Sequence, residues 1–181
     1  MEKEKKVQDK IDNQLLSERK IFLWGMVDDK SAKHVVDRLM YLDSLNHEEI
    51  QFYINSPGGY VTSGFSIYDT IQGIKSPVST ICTGLAASMG SILLSAGKKG
   101  RRFIQPHARV MIHQPSGGAR GQASDIEITA QEIIKTKELS AQILAKNCGQ
   151  KVDKVMKDFN RDHWMGAEES VAYGIVDGVS K

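Results

Sequence analysis

Residues 78–97 read VSTICTGLAASMGSILLSAG, and the fold turns on how this stretch divides. Its opening, VSTIC, is β-branched and short, the pattern of a buried strand. Its second half, SMGSILLSAG, reads as a buried helix. Ser88 stands at the handover, after Ala86 and Ala87 and before Met89 and Gly90. A helix start offers unpaired N–H groups and the positive end of the dipole. A serine there is either a helix cap or an activated nucleophile, and the stretch alone leaves both open.

The alternation continues outward. Upstream, IFLWG (21–25) is a strand stopped by Gly25, and SAKHVVDRLMYLDSLN (31–46) is a helix with Ala32, Val35, Val36, Leu39 and Met40 on one face. IQFYI (50–54) is a strand with Ile50, Phe52 and Ile54 on one side. NSPGG (55–59) is a turn, and VTSGFSIYDTIQGIK (61–75) carries Val61, Phe65, Tyr68 and Ile71 at helical spacing. Downstream, RRFIQ and ARVMIHQ read as strands. Strands alternating with helices predict parallel strands joined by crossover helices, an α/β fold.

Past Pro115 the texture changes. SGGARGQ (116–122) predicts an extended loop or weak strand, and Ser124 to Glu127 matches a capping box. The helix that follows runs to Cys148 and stops at Gly149, roughly 24 residues against a typical ~12. Its face of Ile126, Ala130, Ile133, Ile134, Leu139 and Ile143 needs a partner, and a second chain is a natural one. KVDKVMKDF, GAEESVAYG and IVDGV then read helix, helix, short strand. At the other end, residues 1–10 form a charged, partly mobile segment. Val7, Ile11 and Leu15 predict a short helix to about Arg19. Residues 11–181 are expected to form one domain.

Composition narrows the function. The 181 residues are 40% hydrophobic and 25% charged, with a net charge of +2. That balance argues against nucleic acid or a membrane surface as partner. Cys82 and Cys148 form neither CxxC nor zinc spacing, and no metal site is expected. MEKEKKVQDK has no apolar signal region, and no run approaches the ~18 apolar residues of a membrane helix. The expected location is the cytoplasm.

Amide hydrolysis needs a nucleophile, a base, a group orienting the base, and donors for an oxyanion. Ser88 fits the first by position, although it lies outside any G-x-S-x-G elbow. The Met89 N–H is well placed to donate to an oxyanion. Gly59, with no Cβ, can turn its own N–H toward a ligand, or simply complete an ordinary turn. Among five histidines, His113 stands out because it ends the apolar run RVMI just before Gln-Pro. A packed strand histidine explains it equally well. Asp69, Asp125, Asp158, Asp162 and Asp177 all remain open as the orienting acid.

TGLAASMGS, FYINSPGG, VMIHQPSGGARGQASDIEI and NRDHWMGAEESVAYGIVD, in this order, resemble the proteolytic subunits of Clp proteases over about residues 11–179. The resemblance implies Ser88 as nucleophile, His113 as general base, Asp162 as orienting acid, and the Gly59 and Met89 N–H groups as oxyanion hole. It implies a crotonase-like α/β spiral of β-β-α units, with a globular head and a projecting handle over about 116–148. It implies substrate lying as an added strand against Gly58, Tyr60, Val61, Pro115, Ser116 and Gly117. It further implies two stacked heptameric rings fed with unfolded polypeptide by an AAA+ ATPase unfoldase, so that ATP serves the partner and this chain carries no cofactor.

The chain departs from that pattern in three places. Its N-terminal segment is shorter than the pore hairpin of many relatives, which bears on gating and docking. Asn160, before Arg161, replaces an acid that pairs with an arginine across the rings. Leu85 and Trp164 replace a common glutamine and a smaller aromatic, both as packing changes. These departures suggest a paralogue sharing a mixed complex with a second such subunit, or a weakly active or regulatory ring member. A crotonase-type acyl-CoA enzyme would use paired backbone donors without Ser88. A Ser-Lys dyad would need Lys98 or Lys99, roughly 15 Å along the next helix.

Overall fold

The computed structural model describes residues 2–180; Met1 and Lys181, the outer ends of the two expected segments, lie outside the described residues. Seven strands form one sheet. β1 (Lys20–Trp24), β2 (Ile50–Ser56), β3 (Val78–Ala87), β4 (Arg102–Ile104) and β7 (Gly178–Val179) lie side by side in parallel. Helices α2 (Asp29–Leu45), α3 (Val61–Gly73) and α4 (Met89–Ser95) make the crossovers. The mixed α/β fold expected from the alternation is the one observed.

β3 is the strand on which the sheet forks. Its first part pairs with β4 through Thr80, Ile81 and Cys82. Its last part pairs with β5 (Arg109–Ile112) through Leu85, Ala86 and Ala87. Gly84 sits between the two sets at φ 82°, a conformation that costs little only without a Cβ. The core fills the space between sheet and helices. Ile21, Leu23, Phe52, Ile54, Leu93 and Leu94 are among its fully buried side chains, and β2 alternates strictly, with Ile50, Phe52 and Ile54 inward. On α2 the buried face is Ala32, Val35, Leu39 and Leu42; Met40, expected inside, is exposed. Leu42 takes that place because it lies on the same stripe as Leu39 and Val35, which Met40 leaves by about 100°.

Three other expectations need correction. Residues 2–10 belong to α1, which runs Glu2–Ser17 and ends before Arg19, whose φ of 59° turns the chain into β1. α5 spans Ala123–Cys148, with Gln122 at its N-cap, so Ser124 and Glu127 are exposed helix residues and form no capping box. The box with both hydrogen bonds made through side chains is at α2. There Ser31 N–H donates to Asp28 Oδ1 (2.7 Å) and Asp28 N–H donates to Ser31 Oγ (2.9 Å). Third, the helix, helix, short strand expected at the end of the chain omits β6 (His163–Met165), an antiparallel partner of β5.

α5 is the projecting handle. Its buried residues are Ser140, Ala141, Leu144, Ala145 and Cys148, all in its last third. Ile126, Ile128, Ile134 and Leu139 are exposed. The helix ends as expected at Gly149, left-handed at φ 69°. α6 (Val152–Asp158) and α7 (Ala167–Tyr173) complete the head.

Candidate active site

The site is built at the end of β3. Ser88 has φ 53° and ψ −122°, far outside the regions an L-residue favours. Such backbone costs of order 1–3 kcal/mol and persists only where the surroundings over-determine it. The surroundings here are specific. Ser88 N–H donates to Met111 O on β5 (2.8 Å), and Ser88 O accepts from Ser91 N–H (3.0 Å) in the first turn of α4. The side chain makes no cap bond. Capping therefore leaves Oγ unused; the sharp strand-to-helix turn instead presents it outward, as a nucleophile elbow does, without that motif's sequence.

Sheet register brings the other groups to Ser88. Ala87 pairs with Met111, and two residues on, with the same side-chain direction, comes His113. β6 pairs with β5 as Met111↔Trp164 and Ile112↔His163, so the next step of the ladder sets Asp162 opposite His113. Gln114 clamps this end: its N–H donates to Phe159 O (2.6 Å) and its Nε2 to Asn160 O (2.8 Å). Ser88 Oγ and His113 Nε2 are 2.8 Å apart, and His113 Nδ1 and Asp162 Oδ1 are 3.2 Å apart. With the imidazole proton on Nδ1, Nδ1–H donates to the carboxylate and Nε2 accepts from the serine hydroxyl.

Two backbone N–H groups lie in the segments that meet at this cluster, where a Cβ on Gly58 would be 2.8 Å from Met89 N. Val27 and Gly59 form an isolated parallel bridge, in which Val27 N–H donates to Gly58 O (2.9 Å) and Tyr60 N–H to Val27 O (2.8 Å). The Gly59 N–H therefore points away from Val27. A Cβ on Gly59 would lie 2.2 Å from Val27 O, and its φ is 155°. Only glycine fits. Met89 opens α4, so its N–H has no acceptor within the helix. Its side chain is buried against Gly64 of α3, where a Cβ would meet Met89 Cγ at 2.1 Å. Neither N–H donates to a protein acceptor among the described residues.

The remaining expected residues fall around this cluster unevenly. Gly58 is buried against the Ser88 turn, while Tyr60 is exposed. The free backbone edge expected after Gly59 does not extend to Tyr60 and Val61. Tyr60 N–H is bonded to Val27, its C=O accepts from Gly64 N–H (3.0 Å), and Val61 begins α3. Opposite, Pro115, Ser116 and Gly117 lie in the segment 113–120, which joins no strand, so the weak strand allowed for there is absent. Ile133 of α5 backs Gly117, where a Cβ would approach to 2.9 Å. Arg161 is exposed, and Asn160 Oδ1 also accepts from Gln114 Nε2 (3.3 Å).

Two of the competing aspartates are occupied elsewhere. Asp177 holds Arg102, and Asp158 holds Lys154 and Tyr173. Burial pushes the Cys82 and Cys148 thiols up to about 12, which keeps both protonated and inert near neutrality. Lys98 N–H bonds Val78 O, at the opposite end of β3 from Ser88, which removes Lys98 as a dyad partner. Among the described residues no group of His, Cys, Asp and Glu is placed to hold a metal, and no helix is long and apolar enough to cross a membrane.

Sequence reasoning missed β6, the Gln114 clamp and the Val27 bridge. β6 is too short for alternation to register, and the other two are visible only once the strands are paired. Residues 2–181, essentially the whole chain, match the Clp protease family, and the chain belongs to that family.

Proposed function

We propose that this chain is the serine endopeptidase subunit of an ATP-dependent Clp-type protease, with Ser88, His113 and Asp162 as its catalytic triad. The observation that carries the reading is the unbroken chain of contacts from Ser88 Oγ through His113 to Asp162, beside two unengaged N–H groups. His113 Nε2 takes the serine proton as Oγ attacks a peptide carbonyl. The Gly59 and Met89 N–H groups hold the oxyanion. His113 then protonates the leaving amine, and water repeats the sequence on the acyl-enzyme. Asp162 fixes the tautomer and stabilises the imidazolium.

The substrate is unfolded polypeptide, lying between Gly59 and the segment 115–117 and pairing with open backbone there. The exposed apolar part of α5 supports assembly with further copies as two heptameric rings, either of this chain alone or mixed with a second subunit of the same type. An AAA+ unfoldase supplies substrate and consumes the ATP; the proposed setting is the cytoplasm. A crotonase-type acyl-CoA enzyme has no use for a serine hydroxyl 2.8 Å from an imidazole, and the geometry disfavours it.

Fluorophosphonate labelling with peptide mapping, alongside fluorogenic peptide hydrolysis with and without an unfoldase, tests the proposal. Label should reside on Ser88, and Ser88→Ala should lower kcat at least about 10⁴-fold with assembly intact. Hydrolysis that survives Ser88→Ala would overturn the reading.

A further inference from the structure

Ser56, the last residue of β2, is fully buried (0% exposed), and the mechanism above gives it no part. Its Oγ accepts the N–H of Gly58 (3.0 Å), closing a side-chain turn over Pro57. A register shift between Ile54 and Ser56 sets Ser56 opposite Ala86, two residues before Ser88. The same residue backs onto α4: a Cβ on Gly90 would lie 3.1 Å from Ser56 O and 3.4 Å from Ser56 Cβ.

Gly58 is itself wedged against the elbow. A Cβ there would lie 2.7 Å from Ser88 Cβ and 2.8 Å from Met89 N. Gly58 precedes one candidate oxyanion donor, Gly59, and Gly90 follows the other, Met89. Ser56 is thus in contact with the neighbour of each donor, although the donors belong to different segments of the chain.

We propose that Ser56 is a positioning residue for the oxyanion hole, its hydroxyl holding the Gly58 peptide and through it the spacing between the Gly59 and Met89 N–H groups. The inference rests on the serine-peptidase reading. Ser56 touches neither substrate nor the reacting atoms. Without its Oγ, the Gly58 N–H is left buried and without an acceptor, which costs free energy until the loop shifts. The shift is small, because Val27 N–H still holds Gly58 O (2.9 Å), the carbonyl of the peptide that carries the Gly59 N–H, but neither Gly58 nor Gly59 has a Cβ to resist it. A displaced Gly59 N–H weakens binding of the oxyanion, which exists in the transition state, more than binding of the neutral ground-state carbonyl.

The test compares Ser56→Ala and Ser56→Cys with the unaltered protein in its assembled form, using a fluorogenic peptide and a peptide boronate that forms a tetrahedral adduct on the serine. A donor displaced by a fraction of an ångström should lower kcat about 10- to 100-fold, with KM moved less than about twofold. Boronate affinity should fall by the same factor as kcat, and the shape of the pH–rate profile should stay as it was. Cysteine, nearly isosteric but a weaker acceptor, should fall between serine and alanine. If Ser56→Ala does not assemble, Ser56→Cys carries the test alone. An assembled variant with undiminished kcat, or one whose boronate affinity is unchanged while kcat falls, would overturn the assignment. Failure of the unaltered protein to hydrolyse peptides or to label at Ser88 would instead sink the peptidase reading beneath it.

Discussion

Asp177 and Asp162 each face a basic side chain, and the two pairs are held in opposite ways. Asp177 is 15% exposed and accepts from Arg102 Nε (2.9 Å) and Nη2 (2.6 Å), and from the N–H groups of Arg102 (3.0 Å) and Gly100 (2.7 Å). Arg102 is 1% exposed and spends its remaining Nη1 on Asn147 O (2.8 Å). That pair is saturated. Asp162 is 59% exposed and makes one long contact, 3.2 Å, to His113. A saturated pair fixes the fold by making every departure expensive. A loose pair at a solvent edge leaves its imidazole accessible to a second partner, here the Ser88 hydroxyl. Under the proposed triad, the same residue type serves structure at one place and chemistry at the other, and the surroundings decide which.

The sharpest way to break this contrast is at Asp162. Asp162→Asn should lower kcat about 10⁴-fold, because an amide favours the wrong tautomer of the base. Unfolding in urea should move by less than about 0.5 kcal/mol, since an exposed side chain with one contact contributes little. A large loss of stability with activity retained would place Asp162 in the structural class and remove it from the triad.

The second test reverses the expectation. Arg102→Met should destabilise the protein by about 3–5 kcal/mol, because it leaves a partly buried carboxylate without its cation. The effect has a signature in pH. Burial pushes the Asp177 carboxyl up, but the Arg102 hydrogen bonds and charge, with the Arg102 and Gly100 N–H groups, outweigh it and hold the group below its ordinary value. A depressed carboxyl contributes stability above its unfolded pKa, about 3.9, and that contribution is lost as pH falls through the lower folded value. The gap in urea stability between Arg102→Met and the parent should therefore be widest near neutral pH and close as pH falls below about 4. A gap independent of pH would mean that the loss is one of packing, with no part for the charge pair.

The contrast also explains what the sequence could disclose. The βα alternation, the inward face of β2 and the stop at Gly149 follow from local pattern and chemistry, and residues 21–114 were legible for that reason. Ser88 was legible as a strand-to-helix residue. Which aspartate serves His113 was not, because the choice depends on the antiparallel register of β5 and β6 across 49 residues of chain, and β6 is only three residues long. Resemblance to a family named Asp162, whereas its residue type and neighbours did not. The same limit applies to Ser56, whose Oγ–Gly58 contact is local but whose packing on Gly90 is not. Along α5 periodicity marked Ile126, Ala130, Ile133, Ile134, Leu139 and Ile143, and none of these is among the buried residues of the helix. The head covers Ala141, Leu144 and Ala145 and leaves Ile126, Ile128 and Ile134 open. A sequence does not state where a helix leaves the body it packs on.

The smallest expected effect lies two residues from Asp162. Asn160 Oδ1 and backbone oxygen both accept from Gln114 Nε2, so its amide is engaged within its own chain beside the exposed Arg161. An aspartate can accept the same bonds and adds a charge able to pair bidentately with an arginine of an opposing ring. Under the two-ring proposal, Asn160→Asp should favour the double ring by about 1 kcal/mol per contact if the new pair is partly buried, and by less if it stays solvated. Sedimentation velocity across a range of salt concentrations reads this directly. The shift should appear at low salt and fade as screening grows, while the urea stability of the single chain stays where it was. An unmoved ring–double-ring equilibrium at low salt would show that the 160–162 loop meets no cation in the assembly. The weak hold on Asp162 would then be a property of this chain alone, independent of any neighbour.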